Sequence, residues 1–297
     1  MSGLHATLEG CQGAAEGSSC PVVSVASSLE AWQREAVTGT FDAGHYRCPY
    51  FRWGEGPALV FIPGLCSDGL TFVSVMALLR EHFHCIGYDL PADGPPYGHD
   101  DLVADLLALL DHLEIRRCNL LGFSFGSTIA LGALSRQPQR FARAVLQGGF
   151  ARRPLAPAEV FACSWGRYLP GTMGRLPIWP RLTRRLHAGP FASRAEADWR
   201  YFVEAQGRTP VRAFSQRALI MHQLDLRARL AGIACPVLLV SGERDPLVAR
   251  CYQEELRAAL PCASSAEIEG CGHHAHLSHP EVLAEALEHF LMAREAV

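Results

Sequence analysis

The run ALVFI (58–62) is wholly apolar and only five residues long. That is the pattern of a strand buried on both faces, not of a helix. Two strand-like pieces precede it, AVTGTF and HYRCPYFRW, and Gly54 and Gly56-Pro57 separate the last pair. The period then changes. TFVSVMALLREHF (71–83) has helical spacing, HCIGYDL (84–90) is strand-like, and the breaker stretch PADGPPYG follows. DDLVADLLALLDHL (100–113) sets Leu102, Leu106, Leu109, Leu110 and Leu113 on one helical face. Asp100 and Asp101 open that helix, where its dipole favours negative charge. CNLLGFS predicts a strand leading into a helix that ends near Arg136, and ARAVLQGG (142–149) a further strand. The rhythm resumes at CPVLLVSG (235–242), with a helix around 248–260, a short strand ASSAEIEG and a last helix from Pro280. Repeated strand–helix units predict an α/β fold with a mostly parallel central sheet and helices on both faces.

Two stretches break the rhythm. Residues 1–35, rich in Gly, Ala and Ser at their start, read as a flexible N-terminal tail. Residues 151–232 show short helical patterns without a convincing strand, and read as a helical cap over the sheet's C-terminal edge. The core is then 36–150 together with 233–297. The chain has no lysine, and the cap holds 14 arginines against 5 acidic residues. Two readings stay open for this surplus: recognition of an acidic substrate, or a solvated surface shaped by coding bias. Phe161, Trp165, Tyr168 and Trp199 either line an apolar acyl pocket or glue the cap to the sheet.

The formal net charge of −3 gives no reason to expect nucleic acid or an anionic membrane as the main partner. Eleven scattered cysteines without a CxxC pair suggest buried thiols in a reducing compartment. With no signal-peptide pattern and no run of 18 apolar residues, a cytoplasmic protein without membrane insertion is expected.

The candidate chemistry centres on GFSFG (122–126). A G-x-S-x-G match is weak alone, but this one follows a strand and opens a helix, the setting of a nucleophile elbow. The flanking glycines let strand and helix pass closely while Ser124 projects above the sheet edge. A serine hydroxyl needs a base, and the base needs a carboxylate to orient it. VLLVSGERDPLV offers Asp245 three residues after Gly242, with Glu243 as a competitor too close to the strand. IEGCGHHAHLSHPEVL offers His273 just before the last helix. His273, His274, His276 and His279 also invite a metal, but no second ligand cluster has metal spacing, so neither metal nor cofactor is expected. Cys66 and Cys271 are read as reactive thiols or, more commonly, buried structural ones.

FIPGL, YDLPADG, GFSFG, GERD and GCGHHAHLSHPE occur in one order from about residue 36 onward, and with them the chain resembles the α/β-hydrolase superfamily, specifically esterase-like members with a serine nucleophile and a helical cap. The resemblance implies Ser124 as nucleophile, His273 as base and Asp245 as its orienter. It implies an oxyanion hole from the backbone N–H groups of Leu65 and Phe125. Pro63-Gly64 stands where the family usually has His-Gly, and Ala92-Asp93-Gly94-Pro95 replaces its usual Gly-x-Gly-x-Ser. The implied activity is hydrolysis of a small-molecule carboxylic ester. A thioesterase, an acyltransferase or a C–C bond hydrolase would use the same triad, and a non-catalytic binding protein on this fold is the reading from another class.

Overall fold

The computed structural model describes residues 5–8, 23–92 and 96–293. Among them nine strands form one sheet. In chain order these are β1 (His5–Leu8), β2 (Val37–Asp42), β3 (Arg47–Trp53), β4 (Ala58–Ile62), β5 (His84–Tyr88), β6 (Cys118–Phe123), β7 (Phe141–Gln147), β8 (Val237–Gly242) and β9 (Ala263–Ile268). Their spatial order is β1-β9-β8-β7-β6-β4-β5-β3-β2. β3 runs antiparallel to both β2 and β5. Every other pairing is parallel.

Eleven α-helices surround the sheet among the described residues: α1 (Val25–Glu35), α2 (Val73–Leu79), α3 (His99–His112), α4 (Phe125–Arg136), α5 (Pro157–Gly166), α6 (Trp179–His187), α7 (Glu196–Gly207), α8 (Val211–Gln223), α9 (Arg250–Ala259), α10 (Ala275–Ser278) and α11 (Pro280–Met292). β4 shows why its sequence is apolar throughout. Val60 and Ile62 join the core under α3 and α4, with Leu106, Leu120 and Ile129. Leu59 and Phe61 join the opposite core under α1, α2 and α11, with Val25, Met76 and Leu287. Alternate side chains point to opposite faces, and both faces are covered. On α3, Leu102, Leu106, Leu109 and Leu110 are buried, and Leu113 is half-buried beyond its end. The helix begins where the Gly98 amide donates to Asp101 Oδ2 at 2.8 Å.

Two sequence expectations need correction. The stretch 71–83 is not one helix. A 3₁₀ turn over Gly69–Phe72 leads into α2, which stops at Leu79. The Arg80 carbonyl accepts from the Glu55 amide instead of continuing the helical ladder. The reading of 1–35 as a tail fails for α1 and for β1, which pairs with β9. Ser24 caps α1 by accepting from the Ser27 amide. Asp198 Oδ1 takes the Val25 amide at 3.0 Å, setting a carboxylate at the positive end of the helix. Residues 1–4 and 9–22 of that reading lie outside the described residues, as does Asp93-Gly94-Pro95.

Between β7 and β8, residues 151–232 carry α5 to α8. Gly166 lets α5 lie against α8: a Cβ there would stand 2.3 Å from Ser215 Oγ. Arg194 ties this insertion to the core. It pairs with Asp198 at 3.2 Å and with Glu281 of α11 at 3.0 Å, and donates to the Val23 carbonyl. No helix among the described residues is long and apolar enough to cross a membrane.

Candidate active site

Ser124 sits between the end of β6 and the first residue of α4, with φ 52° and ψ −116°. A non-glycine residue there is strained, and such strain persists only where its surroundings over-determine it. Three contacts do so. The Ser124 amide donates to the Gln147 carbonyl at 2.8 Å, and its carbonyl accepts from the amide and the hydroxyl of Ser127. The glycines two residues either side explain the close passage. A Cβ on Gly126 would lie 2.3 Å from the Ile62 carbonyl oxygen, and one on Gly122 would lie 2.7 Å from the Gly126 oxygen.

Ser124, Leu65, Phe123 and His273 line one cavity of about 390 Å³, roofed by α5, α6, α7 and α8. His273 Nδ1 and Asp245 Oδ2 are 2.7 Å apart, with both side chains buried. The second carboxylate oxygen is held by the Leu247 and Val248 amides at 2.8 and 3.0 Å. Burial raises the Asp245 carboxyl, but the facing His273 and these amides outweigh it, so its pKa lies below the ordinary value. Glu243 is engaged elsewhere, accepting the Gly270 amide at 2.8 Å. Among the described residues no hydrogen bond joins Ser124 to His273, a contact that commonly tightens only when substrate binds. Phe125 opens α4, so its amide has no carbonyl partner within the helix.

The other histidines hold the walls in place. His276 Nδ1 lies 3.0 Å from the Gln147 side-chain nitrogen and its Nε2 lies 3.4 Å from Thr71 Oγ1. His279 meets the Ser278 hydroxyl at 2.9 Å. His274 is enclosed by the rings of Phe202, His187, Phe123 and His273 at 4.8 to 5.2 Å. Its Nδ1 has no hydrogen-bond partner among the described residues. Burial, reinforced by the charge of His273, pushes His187 down to about 4 and His276 to about 3. No group of three or more His, Cys, Asp or Glu among the described residues is arranged to hold a metal ion. Burial raises the Cys66 and Cys271 thiols to about 12 each, so neither is a thiolate near neutrality.

Two residues that the motifs did not single out bind the site together. Gln147 ends β7. Its carbonyl fixes the Ser124 amide and its side chain donates to the His273 carbonyl at 3.2 Å. Arg217 of α8 is 3% exposed, and among the described residues no carboxylate pairs with its nitrogens. It donates to the carbonyls of Leu65 at 2.8 Å, Leu90 at 3.1 Å and Pro91 at 3.2 Å. It thereby clamps the loop after β4, whose Gly64 amide is held by Ser67 Oγ at 2.7 Å.

Of the aromatic side chains read as either lining a pocket or gluing the cap to the sheet, none lines the cavity. Phe161, Trp165 and Tyr168 are exposed and outside the cavity. Trp199 packs on Phe191 and Phe202, with centroids 5.4 Å apart in each case. Phe150, Trp179, Phe202 and Phe214 line the cavity instead. Phe150 reaches it from the loop after β7, and α6, α7 and α8 turn Trp179, Phe202 and Phe214 inward; helical spacing alone does not say which stripe faces in.

The sequence profile of the Alpha/beta hydrolase family matches residues 59–286. The chain is 30% identical over 253 residues to the pimeloyl-[acyl-carrier protein] methyl ester esterase of Xanthomonas campestris pv. campestris (strain B100), covering 81% of this chain and 97% of that protein. Among solved structures, the enol-lactonase from Burkholderia xenovorans LB400 superposes with a TM-score of 0.78 at 22% identity, over 86% of this chain and 100% of the other. A thermophilic esterase from Thermogutta terrifontis gives a TM-score of 0.75 at 20% identity, over 86% and 98%.

Proposed function

The chain belongs to the α/β-hydrolase family, and from that membership we propose that it is a serine hydrolase cleaving carboxylic esters with an apolar acyl group. The observation that carries the reading is the 2.7 Å Asp245–His273 contact, made by the histidine that shares a cavity wall with Ser124. Asp245 accepts a hydrogen bond from Nδ1–H, which keeps the proton on Nδ1 and leaves Nε2 free to act as base. Ser124 Oγ attacks the ester carbonyl carbon as Nε2 takes its proton. The resulting oxyanion lies between the Leu65 and Phe125 amides, which need not reorganise as the charge develops. The C–O bond then breaks and the leaving alcohol takes the proton from His273. Water, deprotonated in turn by His273, attacks the acyl-enzyme, releases the acid and restores Ser124. The insertion acts as a cap, and its cavity-facing Trp179, Phe202 and Phe214 favour an apolar acyl chain over a charged one.

In this scheme Arg217 is a positioning residue. Without it, two buried carbonyls and the half-buried one of Leu65 lose a charged donor, and the loop bearing the Leu65 amide is released. Arg217→Met is expected to lower kcat about 10²-fold, as loss of one oxyanion donor does, with KM changing much less. A variant with normal kcat and a reduced melting temperature would leave Arg217 a purely structural role.

The reading is tested by labelling with a fluorophosphonate probe. Wild type is expected to carry one adduct on Ser124, located by peptide mass spectrometry, and folded Ser124→Ala to carry none. Folded wild-type protein that stays unlabelled would refute an activated nucleophile and favour a binding role.

A further inference from the structure

Residues 160–195 contain six arginines and no aspartate or glutamate. Arg194 is consumed by its buried ion pairs with Asp198 and Glu281. Arg167, Arg175, Arg181, Arg184 and Arg185 are all exposed, and none pairs with a carboxylate among the described residues. The same segment carries six of the eight large apolar side chains that stand exposed among the described residues: Phe161, Trp165, Tyr168, Leu169, Ile178 and Leu182. Exposed apolar residues are ordinary when scattered, but a concentration of this kind marks a surface that meets something.

Phe161, Trp165 and Tyr168 follow one another at spacings of four and three, so they form a single stripe on α5 and the turn after it. They are 68%, 64% and 70% exposed. The opposite face of α5, through Cys163 and Gly166, is buried, and Gly166 lies against α8. Among the described residues no other element covers the outer stripe. Arg167 stacks over the Tyr168 ring at 4.7 Å, so charge and aromatic area are presented together. Both helices border one cavity: Ala162 and Cys163 of α5, and Leu182, Thr183 and Leu186 of α6, line the space that holds Ser124 and His273, so the aromatic stripe of α5 and the arginines of α6 stand on elements that share its wall.

We propose that this face of the insertion docks on an anionic lipid surface. The aromatic stripe enters the boundary between headgroups and acyl chains, and the arginines lie over the phosphates. Trp and Tyr suit that boundary because each has an apolar body and a polar tip. A second copy of the chain is the poorer occupant, because a two-fold contact would set this acid-free, arginine-rich segment against itself. An acidic protein would pair with the arginines but gives no reason for the protruding aromatic row. The net charge of −3 concealed this surface because it averages the arginine-rich insertion with an acidic remainder. Docking goes beyond ester hydrolysis and does not depend on it, and an apolar chain could pass from the bilayer into the cavity between α5 and α6.

Co-sedimentation of the full chain with vesicles tests the proposal, using phosphatidylcholine alone and phosphatidylcholine mixed with phosphatidylglycerol. Wild type and Ser124→Ala are expected to bind the mixed vesicles equally, and to bind the neutral ones at least about tenfold more weakly. Arg181→Glu/Arg184→Glu/Arg185→Glu and Phe161→Ser/Trp165→Ser/Tyr168→Ser are each expected to lose binding while turning over a water-soluble ester at the wild-type rate. Folded wild type that stays in the supernatant with mixed vesicles would overturn the proposal. So would binding that survives both sets of substitutions. Light scattering that shows a dimer dissolved by the aromatic substitutions, without vesicle binding, would assign the face to self-association instead.

Discussion

Ser124→Ala and His273→Ala are each expected to lower kcat for a nitrophenyl ester by about 10⁴- to 10⁶-fold, and the double variant by no more than either alone. The reason is chemical. Without His273 the serine hydroxyl stays protonated and is a poor nucleophile; without Ser124 the base has no alkoxide to generate. Each loss therefore disables the same step, and the second removes nothing further. Asp245→Asn behaves differently. The amide offers its nitrogen or oxygen to Nδ1 without the charge that stabilises the imidazolium, and the favoured tautomer turns the wrong nitrogen toward Ser124. A loss of about 10⁴ is expected. All three variants should fold. Asp245→Asn keeps a group on the Leu247 and Val248 amides that the carboxylate now occupies. Ester turnover and thermal melts on wild type, the three single variants and the double variant decide the matter. Losses that multiply in the double variant, or a Ser124→Ala protein that still hydrolyses the ester, would show that these residues do not act as one unit.

The parts of this arrangement that lie within a few residues of each other were legible in the sequence. GFSFG, placed between a strand and a helix, announced both the turn and its glycines, because steric fit at Gly122 and Gly126 is a local matter. The apolar run of β4 announced a strand covered on both sides. Arg217 was not legible. It is one of many arginines in the insertion, and its role exists only because folding brings Leu65, Leu90 and Pro91 to it from more than a hundred residues away. Gln147 was hidden in the same way, as a polar residue ending a buried strand. α1 was missed for another reason. Val25, Leu29 and Trp32 have helical spacing, but the Gly- and Ser-rich stretch before them suggested a tail, and the helix is held by Asp198 and by packing against α2 and α7. The stripe of Phe161, Trp165 and Tyr168 could be read as a stripe, but not as one that faces outward.

His274→Phe is expected to stabilise the fold progressively as pH falls below about 6.5, the unfolded histidine value. Burial, with the charges of His187, His273 and His276 around it, holds His274 well below the ordinary histidine value in the folded state. The native protein therefore leaves this ring neutral at pH values where the unfolded chain protonates it. Below about 6.5 the unfolded state binds one more proton there, so the contribution is fully present above that pH and is lost as pH falls, at about 1.4 kcal/mol per unit. The wild-type pH profile alone cannot isolate this effect. His187 and His276 act in the same direction, while Asp89 and Asp105, both raised to about 6 by burial first of all, act in the opposite one. The difference between wild type and variant removes those shared groups. Phenylalanine fits a position already walled by Phe123 and Phe202, and it gives up a ring nitrogen that has no partner among the described residues, so the variant should lose nothing at pH 7.5. Urea denaturation at intervals from pH 7.5 to 4.5 should show an advantage that grows steadily toward the acid end. An advantage that stays constant with pH would mean that His274 takes up its proton in the folded state and that the ring cluster around it admits a charge.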